Sequence, residues 1–535
     1  MAQALQPKCL IFDLEIVPAH DGTPERIIKL GALRPDTAES LELDTGRRLD
    51  AALMRLETLG AGASFLLGHN IVEHDLSALK RAAPASTLLD LPAVDTLRLS
   101  PLAFPQNPYH RLIKDYKLIS DSLNSPLADC RATLNLFADQ QDSFARLLET
   151  HGDELCCYQA LLAPRSGAGL GNFFLALTRQ APPPLAWVAE RLPGLLAETD
   201  PSFARSLKVC RTRLTALIDE DLTRPEMHWP IVYALAWLRV SGGNSVLAPW
   251  VRHQFPAVSR LLAELRDTPC PDPACSYCRS THDPHHELKR YFGFDDFRRE
   301  ADGGSMQHDI ALAGMRGQPV LAVLATGGGK SICYQLPALN RYHRNGSLTV
   351  IISPLQSLMK DQVDGLLARN VQCAAALNGL LTMPERADVL ERIQLGDIGL
   401  LLVSPEQFRS KAFRKAISQR QIGAWIFDEA HCLSKWGNDF RPDYLYVARF
   451  IRDFTGADTL APIGCFTATA KQNVLEDIRQ HFLDELGVSF TAFIGTPERA
   501  NLHFEVLPVS ASEKFARTHQ LIEDTLGRED GGAVV

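Results

Sequence analysis

A short run of buried-strand character, Val320–Leu324, passes without a break into Ala325-Thr326-Gly327-Gly328-Gly329-Lys330-Ser331 and then into a helical pattern. This junction constrains the chain more than any other feature. Consecutive glycines let the backbone curl so that its N–H groups converge on an anion, and the helix N-terminus that follows adds partial positive charge. Lys330 is placed to reach the β- and γ-phosphates of a nucleotide, and Ser331 to ligate the accompanying Mg²⁺. Leu324 replaces the first glycine of the strict pattern, so the loop needs a second element to fix its meaning. Downstream, Trp425-Ile426-Phe427 leads into Asp428-Glu429-Ala430-His431. A strand ending in Asp-Glu offers one carboxylate to Mg²⁺ and sets the next beside an attacking water.

Five apolar runs separated by amphipathic helices predict a parallel sheet with helical crossovers from Leu288 onward. They are Val320–Leu324, Leu348–Ile352, Ile398–Val403, Ala424–Phe427 and Ile463–Phe466. Ahead of this α/β region, residues 1–148 mix short strands with helical periodicity. Residues 149–268 are helical in pattern, broken at Ala181-Pro182-Pro183-Pro184, and residues 269–287 are polar and rich in Cys, His, Pro and Asp. At 535 residues, with 46% hydrophobic and 22% charged, the composition is that of an ordinary globular chain. The 55 Lys+Arg against 63 Asp+Glu give a net charge of −8, which excludes an overall cationic field, so a nucleic-acid partner needs a local groove. The apolar stretches are too short to span a bilayer, the N-terminus lacks a signal-peptide core, and twelve cysteines are too few for a disulfide scaffold. The expectation is a soluble cytoplasmic protein, associated with the nucleoid if bacterial.

Asp428-Glu429-Ala430-His431 is the DEAH form of superfamily 2 helicases, and Phe466-Thr467-Ala468-Thr469-Ala470 resembles the next motif of that superfamily. The run from Thr326 through Ile332-Cys333-Tyr334-Gln335-Leu336-Pro337 is similar to RecQ-family DNA helicases. So are Ser353-Pro354-Leu355-Gln356-Ser357-Leu358-Met359-Lys360-Asp361-Gln362 and His431-Cys432-Leu433-Ser434-Lys435-Trp436-Gly437-Asn438-Asp439-Phe440-Arg441-Pro442. The resemblance covers roughly residues 288–510 and implies a RecA-like motor domain over 288–515 that binds ATP and Mg²⁺ and acts on DNA. It implies nucleotide contacts at Arg298, Gln307, Thr326, Gly327, Gly328, Gly329, Lys330, Ser331, Asp428 and His431, with Asp428 and Glu429 catalytic. The stretch after His431 is the family's aromatic-rich loop, in which Trp436, Phe440 and Tyr444 offer stacking faces to single-stranded DNA and Arg441 offers charge. The family's Phe-Arg is followed by two residues and Gln; here eight residues separate Phe297-Arg298 from Gln307. Gln307 keeps the spacing to Lys330, so Arg299–Met306 reads as an insertion that leaves the place of Arg298 open. A second RecA-like domain, of which 516–535 would be the start, supplies the family's arginine finger. The 535-residue chain alone is therefore expected not to unwind DNA.

In the N-terminal region, Leu10-Ile11-Phe12-Asp13-Leu14-Glu15 sets Asp13 and Glu15 on one face of a central strand. Asp75 follows in Leu67-Gly68-His69-Asn70-Ile71-Val72-Glu73-His74-Asp75-Leu76, and Asp129 opens an amphipathic helix. Asp13, Glu15, Asp75 and Asp129 resemble, in order, the four metal-binding acids of DEDD 3′→5′ exonucleases. That implies a ribonuclease-H-like fold over 1–148 and the domain order of Werner-type helicases. Four carboxylates suit two Mg²⁺ or Mn²⁺ ions. The family's general base precedes the last Asp as His by five positions or Tyr by four; Asn124 and Ser125 stand there, and neither takes a proton near neutral pH. His110 is a replacement from the preceding segment, and His74 a second. The alternative is a degenerate nuclease site kept for DNA binding, beside a half-motor that only senses ATP.

Cys270-x4-Cys275-x2-Cys278-x3-His282 supplies three thiolates and an imidazole at a spacing that suits one closed, structural Zn²⁺, with His285 and His286 as alternative fourth ligands. The segment precedes the motor, and its expected role is to pin the helical region to it. Together these features predict a protein that processes DNA, single-stranded or with 3′ single-stranded ends, in repair, recombination or nucleic-acid defence.

Overall fold

The computed structural model describes residues 7–17, 25–46, 48–107, 125–163, 167–197, 209–240, 246–300, 303–325, 327–434, 441–456, 459–468, 471–495 and 505–526. The chain divides into a large unit, Met1–Gly495, and a short one, Thr496–Val535. The short unit contains a helix, Lys514–Leu526. The boundary expected at 515/516 lies at the start of that helix, whereas the division in packing falls at 495/496.

The first sheet of the large unit has five strands, β1 (Cys9–Val17), β2 (Arg26–Arg34), β3 (Glu39–Asp44), β4 (Phe65–Gly68) and β5 (Ala93–Asp95), in the order β3-β2-β1-β4-β5. β1, β2 and β3 pair antiparallel, while β4 and β5 run parallel to β1. The unbroken apolar start of β1 reflects burial on both faces. Leu10, Phe12 and Leu14 belong to a core with Leu53, Leu56 and Leu79. Cys9 and Ile11 point the other way, to the helix Pro126–Leu162 and beyond it.

One glycine admits that helix to the sheet. Gly31 lies opposite Asp13 in the β1–β2 register, and a Cβ there would stand 2.3 Å from Leu127 N and 2.4 Å from Pro126 C. Only a residue without a side chain lets the helix start lie on β2, and this contact carries Asp129 over the acids of β1. Ser125 caps the helix by accepting a hydrogen bond from Ala128 N at 3.2 Å. The helix runs through the 148/149 boundary without a linker, bending at His151, where φ is −141° and ψ 51°.

The described elements within 149–268 are helices, and the Ala181–Pro184 break separates Gly167–Thr178 from Leu185–Ala197. They share one hydrophobic core with the first sheet, in which Ile11, Val94, Phe137 and Phe144 join Trp237, Leu238 and Leu265. The helix His228–Val240 is the centre of this core, with Pro230 to Leu238 buried on every side.

The second sheet has seven strands, β6 (Val320–Val323), β7 (Leu348–Ile352), β8 (Ala374–Leu377), β9 (Leu400–Val403), β10 (Ile422–Asp428), β11 (Ile463–Thr467) and β12 (Thr491–Ile494). Their order is β12-β6-β11-β10-β7-β9-β8, and all six pairings are parallel. Helices cover both faces: Leu321, Val323, Val350 and Ile352 enter one core, and Val320, Ala322 and Ile351 the other. Five strands fall on the five predicted apolar runs; β8 and β12 are additions. Among the described residues no helix is long and apolar enough to cross a membrane.

Replacing Gly31 by Val forces the helix start off β2. The expected cost is about 1–3 kcal/mol or more from overpacking, read as a lowered melting temperature. Parent-like melting would contradict the close approach.

Candidate functional site

The phosphate loop leaves β6 at the C-terminal edge of the parallel sheet, where open α/β sheets bind ligands. Gly327 and Gly329 take φ values of +79° and +78°, which glycine adopts at no steric cost. Gly329 caps the helix Lys330–Asn345. The Lys330 ammonium lies 2.9 Å from Asp428 Oδ1 and 2.5 Å from Glu429 Oε1. Burial pulls the Lys330 pKa down, but the two carboxylates outweigh it and the net direction is up. Asp428 is 1% exposed, and burial raises its pKa against the lowering effect of Lys330. Glu429 takes the left-handed region at φ +50°, a conformation that costs a non-glycine residue about 1–3 kcal/mol and clusters at functional sites. His431 Nδ1 lies 2.9 Å from Thr467 Oγ1 and 3.4 Å from Glu429 Oε2, so it links the DEAH strand to the end of β11. Ser331 Oγ, Asp428 Oδ2 and Gln362 Oε1 all lie within 3.4 Å of the Tyr334 hydroxyl.

The structure places Arg298 beside Gln307 despite the residues between them. Gln307 Oε1 accepts from Arg298 N at 2.9 Å, while Gln307 Nε2 donates to Gly328 O at 2.9 Å. The Arg298 guanidinium bonds to Gly327 O. Both residues therefore rest on the phosphate loop. Thr326 lies outside the described residues.

The aromatic-rich loop divides. Trp436 and Phe440 lie outside the described residues. Arg441 donates to Pro354 O at 3.0 Å. Tyr444 departs from the stacking role expected of it: the side chain is fully buried and its hydroxyl donates to Asp428 O at 2.8 Å. It braces the DEAH strand from behind. The signal was present in the sequence, because Tyr444, Val447, Ala448 and Ile451 recur at the spacing of one helix face and are all buried.

In the first sheet, Asp13, Glu15 and Asp129 each bring a carboxylate oxygen within 4.8 Å of the others. Three acids this close repel one another unless a cation stands among them, and the set fits a hard divalent ion. Asp75 is not in this group. Its Oδ1 accepts from Leu14 N at 2.8 Å, beyond the end of the β1–β4 pairing at Ile11. Burial raises the Asp75 pKa, opposed by a hydrogen bond to His74. Ser125, at one of the family's base positions, is spent on the helix cap and on Glu42 Oε1 at 2.7 Å. His110 and Asn124 lie outside the described residues.

The cysteine cluster closes differently from the spacing argument. Cys270, Cys275 and Cys278 are joined by Cys210, all four sulfurs lying within 4.8 Å of one another. His282 turns away, and its Nδ1 accepts from Arg344 Nη1 at 2.8 Å. The sequence hides Cys210 because it lies 65 positions before Cys275, beyond any local motif.

Replacing Tyr444 by Phe removes one buried hydrogen bond, an expected stability loss of about 1 kcal/mol, and leaves single-stranded DNA affinity unchanged in anisotropy titrations. A marked loss of DNA affinity would return the ring to the interface.

Residues 305–478 match the family model described as DEAD/DEAH box helicase. The chain is 36% identical to the ATP-dependent DNA helicase RecQ of Haemophilus influenzae over 248 residues, 46% of this chain and 36% of that protein. It is 37% identical to the probable ATP-dependent DNA helicase RecS of Bacillus subtilis over 241 residues, 45% of each chain. A third relative, the helicase SGS1 of Saccharomyces cerevisiae, is 34% identical over 41% of this chain and 14% of its own length. The chain thus spans less than half of each of these relatives. Parallel strand order, phosphate loop and DEAH strand accord with the matched model, and the region is similar in sequence to the motor of RecQ-type helicases.

Proposed function

We propose that this chain belongs to an ATP-dependent DNA-processing protein in which a RecQ-type motor is joined to a metal-dependent 3′→5′ exonuclease. The observation that carries the motor is the pairing of Lys330 with both Asp428 and Glu429. With a nucleotide bound, Lys330 would turn to its phosphates, Asp428 and Ser331 would hold Mg²⁺ and Glu429 would orient water. Gln307 and Arg298 hold the loop through Gly328 O and Gly327 O and would read the base of a bound nucleotide. The ion, when bound, neutralises charge developing on the phosphates. The substrate is DNA, single-stranded or with a 3′ single-stranded end, reached by the segment that follows His431.

The exonuclease reading rests on the convergence of Asp13, Glu15 and Asp129 on one face of the first sheet. Asp75, on the Leu14 backbone, fixes the strand that carries two of them and stands ready as the fourth acid. Divalent ions held there would activate water and stabilise the leaving 3′ oxygen. His74, half-exposed and 3.3 Å from Asp75, is the base candidate among the described residues. Its pKa is raised, chiefly by the hydrogen bond to Asp75. An imidazole accepts protons only when neutral.

Cys210, Cys270, Cys275 and Cys278 hold one structural Zn²⁺ on this reading. The sulfur separations of 3.9 Å for Cys210–Cys275 and 3.7 Å for Cys270–Cys278 match the edge of about 3.8 Å of a tetrahedron with Zn–S near 2.3 Å. Four thiolates leave no open position, so the ion's work is structural.

Three measurements test the reading. Mononucleotides should be released from the 3′ end of labelled single-stranded DNA with Mn²⁺ and not by the Asp13→Ala chain; equal release from both rejects the nuclease. Lys330→Ala should weaken ATP binding about tenfold or more through loss of the charge-assisted contacts, and unaltered binding rejects the motor site. Elemental analysis should find one zinc per chain, lost in Cys210→Ser and retained in His282→Ala. The opposite pattern would restore His282 as the ligand.

A further inference from the structure

On the edge of the parallel sheet opposite the phosphate loop lies a cleft of about 640 Å³, within the range of about 300–1,000 Å³ of small-ligand sites. Its walls come from three places that are distant in sequence. The helix Pro284–Phe292 brings Arg290, the turn before β8 brings Arg369, and the helix Met383–Leu395 brings Arg392. Tyr342 forms part of the lining and is tied down by its hydroxyl, which donates to Gly396 O at 2.9 Å. Gly399 lies so close to it that a Cβ there would meet the Tyr342 ring at 2.3 Å. The cleft is therefore built on fixed backbone.

The charge of this cleft is lopsided. Three guanidinium groups and His343 face one carboxylate in the lining, Asp397. Two acids stand just outside it: buried Glu287 lies 3.6 Å from Arg290 and exposed Asp388 lies 3.9 Å from Arg392. Ring and backbone contacts orient the arginines. Arg290 lies over the Tyr291 ring at 5.0 Å, and Tyr291 stacks on His343 at 5.4 Å. Arg369 donates to Gly365 O at 2.9 Å and Arg392 to Gln372 O at 3.4 Å. In a chain of net charge −8, this concentration of forked donors from three separate elements suits a phosphate group better than any neutral ligand.

We propose that this cleft is a second phosphate-binding site, independent of the ATP loop, in which Arg290, Arg369 and Arg392 receive the phosphates of a nucleotide or of a single-stranded nucleic-acid backbone. The two sources share the same recognition chemistry and differ in length: a strand continues out of the open face of the cleft, a free nucleotide ends within it. The site lies beside the helix that follows the cysteine cluster and away from the catalytic acids of the DEAH strand.

The test uses the full chain carrying Lys330→Ala, which removes the phosphate-loop contribution, with and without the added pair Arg369→Glu and Arg392→Glu. One arm titrates ADP by calorimetry; the other titrates fluorescein-labelled oligo-dT by anisotropy over a range of salt. A loss of about tenfold or more in the oligo-dT arm, with a salt slope shallower by about two, assigns the site to a strand. A loss confined to the ADP arm assigns it to a free nucleotide. Both arms unchanged would overturn the proposal. Should charge reversal lower the melting temperature, the Arg369→Gln and Arg392→Gln pair is read in the same two arms, with a smaller expected loss in the same direction. Because the background already lacks Lys330, failure here leaves the ATP site untouched, and failure of the ATP site leaves this cleft standing.

Discussion

The helix Lys330–Asn345 is held by charge at both ends, and most of the molecule is arranged around that fact. At its N-terminus Lys330 sits against the favoured direction of the helix dipole. It is kept there by two carboxylates from the end of β10, and that arrangement holds a cation where phosphates arrive. At the other end Arg344, 2% exposed, lies 3.3 Å from Asp267 and donates to His282. Here the dipole favours the positive charge. Asn340 donates to Thr281 O at 2.9 Å and Asn345 to Asp267 at 2.7 Å. One helix thus carries the phosphate loop at its head and is clamped to the cysteine-bearing segment at its tail.

That clamp explains where the helical region sits. Its contacts with the motor gather at the N-terminal ends of the parallel strands: Arg252 donates to Gln419 O, ahead of β10, and Arg266 to His343 O, ahead of β7. The catalytic edge at the strand C-termini is left open. His282 matters here as a hydrogen-bond acceptor for Arg344, which accounts for an imidazole placed so close to three cysteines without joining their cluster. Cys210, from the far side of the helical region, completes the group, so the cluster ties together segments remote in sequence.

The chemistry-bearing edges were legible in the sequence because they combine local motifs with apolar runs. Lys330, Asp428, Glu429 and the β1 acids are each announced by their neighbours. Some contacts were hidden because distance in sequence conceals proximity in space. Asp75 is placed by order alone, and its hydrogen bond from the Leu14 N–H is invisible in the sequence. Cys210 reads as a core cysteine. The two additional strands fail for different reasons. β8 is three alanines and a leucine, which periodicity cannot assign, and β12 is an edge strand largely exposed on its outer side. Tyr444 was misplaced by composition: polar neighbours obscured a helical stripe that runs through Val447 and Ile451.

The boundary at 148 shows the same limit in energetic form. A linker is expected where composition shifts, but the helix Pro126–Leu162 carries Asp129 in its first turn and Leu155, Tyr158 and Leu161 in the helical core. Its bend at His151 changes direction without breaking the apolar stripe. The nuclease-like sheet therefore cannot shed the helical region as a flexible arm: removing residues after 148 would expose Phe137, Phe144 and Leu147 from the core they share with Phe173 and Phe174. At about 1.5–3 kcal/mol for each large apolar side chain returned to water, such a cut costs a large share of a domain's usual margin of about 5–15 kcal/mol. The first sheet and the helices that follow it behave as one folding unit, and the acids of β1 owe their rigidity to residues well beyond the segment that carries their motif.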